Sequence, residues 1–337
     1  MSESDHRMPD LAEIQRAAQA VAGTAERTPY VISPSLTALA GREIGLKLEI
    51  RQPIGAFKIR GAANAVSRLS PEQASRGVGC CSTGNHGRAL AYAAAKRGIR
   101  AIVCLSSLVP QNKVRAIEEL GAEVRRMGKS QDDAQAEIDR LVISDGITDI
   151  PPFDHPDIIA GQGTIALELL EDRPDLDAIV VPLSGGGLIS GIAIAAKAMK
   201  PAIKIIGVSM ERGAAMQASL AAGHPVEVTE LPTLADSLGG GIGLHNRWTF
   251  DICRRLVDEV ILLNEAEIYR GMRHLATEEG LMVEGAAAVG PAALLAGKLK
   301  APGPMAMIIS GQNIDQQQFE LIAAGKPVQI GDMMVEG

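Results

Sequence analysis

Ala178-Ile-Val-Val-Pro-Leu-Ser-Gly-Gly-Gly-Leu-Ile-Ser-Gly191 joins a short apolar run to three consecutive glycines and then to an apolar helical stretch, Leu188 to Met199. An apolar run bounded by glycine reads as a buried strand, and the stretch behind it as a helix returning over the same sheet. With no Cβ in the way, the glycines let the backbone close around a ligand. The helix N-terminus adds partial positive charge, so the turn predicts an anion site, with phosphate favoured. The ligand stays open. Glu211 follows the next strand about where a dinucleotide fold carries its ribose-binding acid, which keeps a nicotinamide-binding module in play.

The same strand-then-helix unit recurs on both sides of this turn. Gly79-Cys-Cys-Ser82 precedes Ala89 to Lys96, Ala101-Ile-Val-Cys-Leu105 precedes Val114 to Leu120, and Lys204-Ile-Ile-Gly-Val208 precedes Ala214 to Ala222. Met305-Ala-Met-Ile-Ile309 reads as a late strand. This alternation predicts an α/β protein with parallel sheets flanked by helices. At 337 residues the chain exceeds one ordinary core, which predicts two lobes, with the break Ile150-Pro-Pro-Phe153 as the crossing. The tail after Lys326 is expected to be peripheral.

A net charge of −7 gives no footprint for nucleic acid or an anionic membrane, and Arg125-Arg126 is too short to supply one, so neither partner is expected. The polar, acidic start of the chain has no apolar run behind it, which predicts a cytoplasmic protein. Cys80, Cys81, Cys104 and Cys253 read as core thiols, and the adjacency of the first two does not suit a zinc site. No metal is expected.

Two further segments carry chemistry. In Gln52-Pro-Ile-Gly-Ala-Phe-Lys-Ile-Arg-Gly-Ala62, Lys58 lies in small and apolar surroundings. Taken alone it reads as one more surface lysine; if buried, it would lose charge and become a nucleophile able to form a Schiff base. Ser82-Thr-Gly-Asn-His-Gly87, between a strand and a helix, can offer backbone N–H groups to a carboxylate or phosphate, or can be a plain turn. Glu284-Gly-Ala-Ala-Ala288 and Ser310-Gly-Gln-Asn313 are weaker signals of helix opening and strand end.

Taken in order, these segments resemble the serine/threonine dehydratase and serine racemase family, fold type II pyridoxal-phosphate enzymes. The similarity runs from about Leu11 to Ile322 and includes Lys47-Leu-Glu49, Ala160-Gly-Gln-Gly-Thr164 and Ala235-Asp-Ser-Leu238. The dinucleotide reading accounts for one of these motifs and leaves the others unexplained. Ser130-Gln-Asp-Asp-Ala-Gln135, Pro151-Pro-Phe-Asp-His-Pro156 and Ser209-Met-Glu-Arg-Gly-Ala214 are most similar to the dehydratase associated with hydroxyectoine catabolism, with a β-hydroxyaspartate dehydratase as neighbour.

The resemblance implies a tryptophan synthase β-like fold of two lobes. Residues 1–76 and 155–337 would form a large cofactor-binding domain and residues 77–154 a small mobile one. It implies pyridoxal 5'-phosphate, a homodimer and a small hydroxy amino acid substrate. Lys58 would carry the cofactor and move the Cα proton, and Phe57 would flank the ring. Asn85 and Ser310 would face its oxygen and nitrogen, Ser184, Gly185, Gly186, Gly187 and Leu188 would hold the phosphate, and Glu284 would complete the pocket. Ser82, Thr83, Asn85 and His86 would take the substrate carboxylate. Thr83 stands where racemases carry a second catalytic acid/base serine, and its methyl group hinders that role. Acids of the family's cation site align with Ser209 and Ala215, which degrades that site, although Glu211 is near. The implied activity is elimination of a β-hydroxyl to give a 2-keto acid and ammonium, with racemisation as the alternative.

Overall fold

The computed structural model describes residues 8–82, 84–109, 111–300 and 303–337. In chain order its strands are β1 (Tyr30–Ile32), β2 (Ile44–Leu48), β3 (Val78–Cys81), β4 (Ala101–Ser106), β5 (Glu123–Met127), β6 (Thr148–Asp149), β7 (Ala178–Pro182), β8 (Lys204–Met210), β9 (Glu259–Leu263), β10 (Met305–Ile309), β11 (Val328–Ile330) and β12 (Met333–Val335). They form a six-stranded sheet in the order β1-β2-β10-β7-β8-β9, a four-stranded sheet in the order β5-β4-β3-β6, and the hairpin β11-β12. Neighbours in the two larger sheets are parallel, apart from the antiparallel edge pair β1-β2. The fold is therefore the expected α/β arrangement.

Alternation along the strands explains why the large sheet is covered on both faces. Ile44, Leu46, Met305, Met307, Val180 and Val208 pack with the helices Glu265–Thr277 and Gly285–Leu295. Ile179, Val181, Ala306, Ile308 and Ile205 pack with the helices Pro156–Asp172 and Gly187–Met199. These last two helices approach closely because Gly163 faces Gly191, where a Cβ would run into the Ile159 carbonyl and the Gly163 backbone. The glycine ending the opening motif thus seats the helix behind the turn.

The tail corrects an expectation. After Lys326 the chain forms the β11-β12 hairpin, whose Val328, Ile330 and Val335 are buried in the large-sheet core. Tyr269 anchors it by donating its hydroxyl to the Lys326 carbonyl at 2.8 Å. The strands are too short for their alternation to stand out in the sequence. No described helix is long and apolar enough to cross a membrane.

A buried ionic cluster fixes the start of the helix Lys58–Ser67. Arg60 donates two bonds of 2.8 Å to Glu49 and bonds of 2.6 and 2.9 Å to Glu168, while Lys47 donates to Glu168 at 2.5 Å. Thr28 and Gln52 also donate to Glu49, and Thr164 accepts from Arg60. Lys47, Glu49 and Arg60 are essentially inaccessible. Burial opposes the Glu49 charge, but Arg60, Thr28 and Lys47 together outweigh it and hold that carboxyl below its ordinary range. Removing one member of such a group leaves an uncompensated interior charge. Arg60→Met is accordingly expected to destabilise the fold by about 3–5 kcal/mol, read as a lower urea midpoint; a loss below about 1 kcal/mol, the scale of a surface ion pair, would show that the cluster does not hold this helix.

Candidate active site

The turns singled out in the sequence follow β3, β7 and β10, at the carboxyl ends of parallel strands where open α/β sheets bind ligands. With the Phe57-Lys58 helix start they enclose a cavity of about 460 Å³. Phe57, Lys58, Ser82, Asn85, His86, Ser184, Gly185, Gly186, Gly187, Leu188, Glu284 and Ser310 all line it. Thr83 lies outside the described residues. The expected residues from five separated segments therefore converge on one space.

Lys58 opens its helix from a loop sewn to the β10 turn. The Phe57 N–H donates to the Ser310 carbonyl at 3.0 Å, and the Gln312 N–H to the Gly55 carbonyl at 2.9 Å. Gly55 adopts φ +71°, which favours glycine. The Lys58 Nζ donates to the Pro152 carbonyl at 2.8 Å and lies 5.3 Å from the Phe57 ring centroid. Burial lowers its ammonium from the usual lysine range to about 8, with the Glu284 carboxylate opposing the shift. Such a lysine is partly neutral near physiological pH and can attack a carbonyl carbon.

The glycine turn has the form of an anion cradle. Gly186 caps the helix Gly187–Met199 at φ +90° with no side-chain hydrogen bond, so the first N–H groups of the helix are left for a ligand. A Cβ on Gly185 would lie 2.5 Å from the Phe153 ring, and one on Gly186 would lie 2.8 Å from Met216 Cε and 2.9 Å from Thr249 Cβ. Asp154 holds this wall in place by accepting the N–H groups of Arg247, Trp248 and Thr249 at 2.7 to 3.0 Å.

A polar set closes the opposite side. Asn85 donates to both Glu284 oxygens at 3.0 Å, and its carbonyl oxygen accepts from Asn313 at 2.5 Å. Burial pushes the Glu284 carboxyl up to about 7, with Asn85 pulling the other way. Gly311 is required beside it, since a Cβ there would stand 2.7 Å from Glu284 Oε1. Ser82 Oγ accepts the Gly87 N–H at 3.2 Å, which shapes the turn entering the helix Asn85–Lys96.

The sequence reading missed part of the lining. Pro152 and Phe153, which the sequence offers as a lobe crossing and as part of a subgroup segment but not as site residues, line the cavity, as do Gly239-Gly240-Gly241 after the Ala235-Asp-Ser-Leu238 segment. That second triple glycine was the available signal. Glu211 is not part of the cavity lining: it borders a separate surface depression and lies 3.9 Å from Lys298. The acid that suggested a dinucleotide site therefore lies outside the lining of this cavity. Among the described residues, no three His, Cys, Asp or Glu side chains are grouped to hold a metal ion.

A neutralisable lysine and a Cβ-free anion turn in one cavity suit a ligand that is both an aldehyde and a phosphate. The chain comparisons agree. The family described as "Pyridoxal-phosphate dependent enzyme" matches residues 21–311, and the chain belongs to it. Its cofactor is pyridoxal 5'-phosphate, and its fold is that of the type II members. A Sinorhizobium fredii protein provisionally named a threonine dehydratase is 56% identical over 90% of this chain and 92% of its own. The Thermotoga maritima L-threonine ammonia-lyase is 38% identical over 98% and 83%. The structure of maize serine racemase superposes with a TM-score of 0.88 at 35% identity, covering 93% of this chain and 96% of that one.

Two measurements test this geometry. Cofactor-free protein should capture pyridoxal phosphate at a rate that rises with pH through a midpoint near 8, as Lys58 loses its proton. A flat stopped-flow absorbance profile from pH 6.5 to about 9.5, spanning the depressed and ordinary lysine ranges, would contradict it. Gly186→Ala should weaken cofactor retention by about tenfold or more, since a lost anion contact of 1.4 kcal/mol is tenfold, as read by cofactor absorbance after dialysis.

Proposed function

We propose that the chain is a dehydratase that eliminates the β-hydroxyl of a small hydroxy amino acid and releases a 2-keto acid and ammonium. The observation that carries the reading is the Lys58 amine, kept from full protonation by burial, in one cavity with the uncapped glycine turn. When bound, pyridoxal phosphate withdraws electron density from the substrate Cα, which acidifies its proton and lets a β-substituent leave.

In this reading Lys58 holds the cofactor and, once freed, takes the Cα proton, while the Pro152 carbonyl orients its amine. Ser184 to Leu188 would take the phosphate, Phe57 would flank the ring, and Asn85, Glu284 and Ser310 would hold its edge. A neutral Ser310 hydroxyl would support less charge at the ring nitrogen than a carboxylate, which would favour elimination of the β-group over transamination. Ser82, Thr83, Asn85 and His86 take the substrate carboxylate. Residues 77–154 would close over the site as a unit, a reading supported by their own four-stranded sheet and by the pair Lys113–Asp236, 3.6 Å apart, at the cavity lip.

The cavity lining bears on the substrate. Asp132, Glu230 and Asp236 contribute to it, whereas Lys58 is its one Lys or Arg among the described residues. A second carboxylate would meet like charge there, so a neutral or cationic side-chain end is favoured over hydroxyaspartate. The finer reading, a dehydratase of hydroxyectoine breakdown, rests on the three segments quoted above and fits such a substrate. A panel of serine, threonine, threo-3-hydroxyaspartate and a cationic hydroxy amino acid, scored for keto acid and ammonium, tests both levels. Lys58→Ala should abolish turnover of every member; wild-type rates in that variant would remove the lysine from the mechanism. Hydroxyaspartate as the best substrate would overturn the charge argument.

A further inference from the structure

The turn Ser310-Gly-Gln-Asn313 behind β10 ends on a residue that does not itself line the cavity. Asn313 nevertheless reaches two segments that shape it. Its Nδ2 donates to the Ile54 carbonyl at 3.0 Å, in the loop ahead of Lys58, and to Asn85 Oδ1 at 2.5 Å. Asn85 Nδ2 donates in turn to both Glu284 oxygens at 3.0 Å. Gly55 leaves room for this arrangement, since a Cβ there would lie 3.2 Å from Asn313 Oδ1 and 3.0 Å from Gln312 Cγ.

A carboxamide has an accepting end and a donating end of nearly the same shape, so its partners decide which way round it sits. The relay Asn313 to Asn85 to Glu284 lies between two acceptors. A backbone carbonyl can only accept, so Ile54 fixes the Asn313 nitrogen toward itself; turned over, Asn313 would set its oxygen against that carbonyl and against Asn85 Oδ1. At the other end the Glu284 carboxylate takes the Asn85 N–H groups. Burial lifts that carboxyl to about 7, so in the neutral range it also exists protonated and can then donate. The Ile54 carbonyl has no such second state. Asn313 is therefore the partner that holds the Asn85 amide one way round whichever form Glu284 takes.

Asn85 and Glu284 line the cavity and Asn313 does not, so the Asn85 oxygen is spent on a residue outside the lining while its N–H groups meet one within it. The ring oxygen of pyridoxal phosphate, once ionised, only accepts: an amide oxygen would repel it and an amide N–H would bind it. We infer that Asn313 is a positioning residue for the cofactor's ring edge, fixing the Asn85 carboxamide so that it offers a donor, and never an acceptor, to the ring oxygen. The inference rests on the reading that puts Asn85 at that edge. It gives the end of the β10 turn a part in cofactor binding that acts through another side chain.

The test reconstitutes the full chain with pyridoxal phosphate or with its 3-deoxy analogue, which lacks the ring oxygen, and reads both dissociation constants by absorbance. Their ratio isolates the ring oxygen, because general damage weakens both ligands together. Asn313→Leu, similar in shape but without a donor, should lower the preference for pyridoxal phosphate by about tenfold, the scale of one hydrogen bond to a charged oxygen. Asn85→Ala should lower it as much, and combining the two changes should lower it no further, since the residues act as one unit. A preference within about threefold of wild type in Asn313→Leu, half that free energy, would overturn the inference where Asn85→Ala has lost it. If Asn85→Ala keeps the preference too, the ring-edge reading of Asn85 fails, and the inference with it. A second full loss on combining the changes would mark a separate structural role and overturn the inference as well. Asn313→Ala makes the same comparison if the leucine side chain is not accommodated. Wild-type holoenzyme labelled at asparagine nitrogen gives a readout free of any variant: the Asn313 side-chain amide should exchange slowly with water, and exchange at the rate of a free amide would overturn the inference.

Discussion

The site depends on keeping a lysine amine out of water while denying it a carboxylate partner. Desolvation alone would expel Lys58 or neutralise it, and a close acid would lock it as an ammonium. The structure takes a middle course: its described partner is the Pro152 carbonyl, and Glu284, the nearby acid, is itself tied up by Asn85. A neutral acceptor orients the amine without fixing its charge. Two residues further along the same helix, Arg60 is bound by Glu49 and Glu168, so the backbone that delivers Lys58 is pinned from the charged side of the fold. Reactive amine and structural guanidinium are thus neighbours on one helical turn with opposite electrostatic treatment.

The strap from Ile150 to Asp154 is the second organising element. Its carbonyls hold His86 and Lys58, Phe153 packs under the glycine turn, and Asp154 caps the helix Thr249–Leu256 that backs Gly186. Five consecutive residues therefore couple the four-stranded sheet, the amine and the anion cradle. The two prolines suit this work, since they stiffen the chain and their carbonyls remain free to accept.

The parts of this arrangement that were legible in the sequence are those encoded locally. The triple-glycine turn and its flanking strand and helix fall where the Ala178 to Gly191 pattern puts them, and the apolar runs of β7 and β10 match residue for residue. Lys58, Asn85, Glu284 and Ser310 could be nominated, but only the ordered set of motifs tied them together. What escaped notice was long-range or short. β1 is three residues long and its Val31 and Ile32 are exposed, so no alternation marks it. The pairing of Phe57 with Ser310 joins residues far apart in the chain through backbone groups, which leave no trace in residue type, and the Asp154 carboxylate meets its Trp248 N–H partner only through the fold. The imidazole tautomer of His86 likewise depends on where the Ile150 carbonyl falls.

The strand order of the large sheet constrains how the chain can fold as it is made. β10 lies between β2 and β7, so Ile44 pairs beside Met305, about 260 residues away in sequence. That sheet has no centre until Met305–Ile309 has been made, and the hairpin that completes its core comes later still. The four-stranded sheet is assembled from residues 78 to 149 alone, so its strands can pair while the ribosome is still working. The larger half meanwhile waits with unpaired strand edges, the condition that invites aggregation and chaperone capture. From residue 149 to residue 305 a nascent chain of this topology can have its smaller sheet closed while the larger one still lacks its centre.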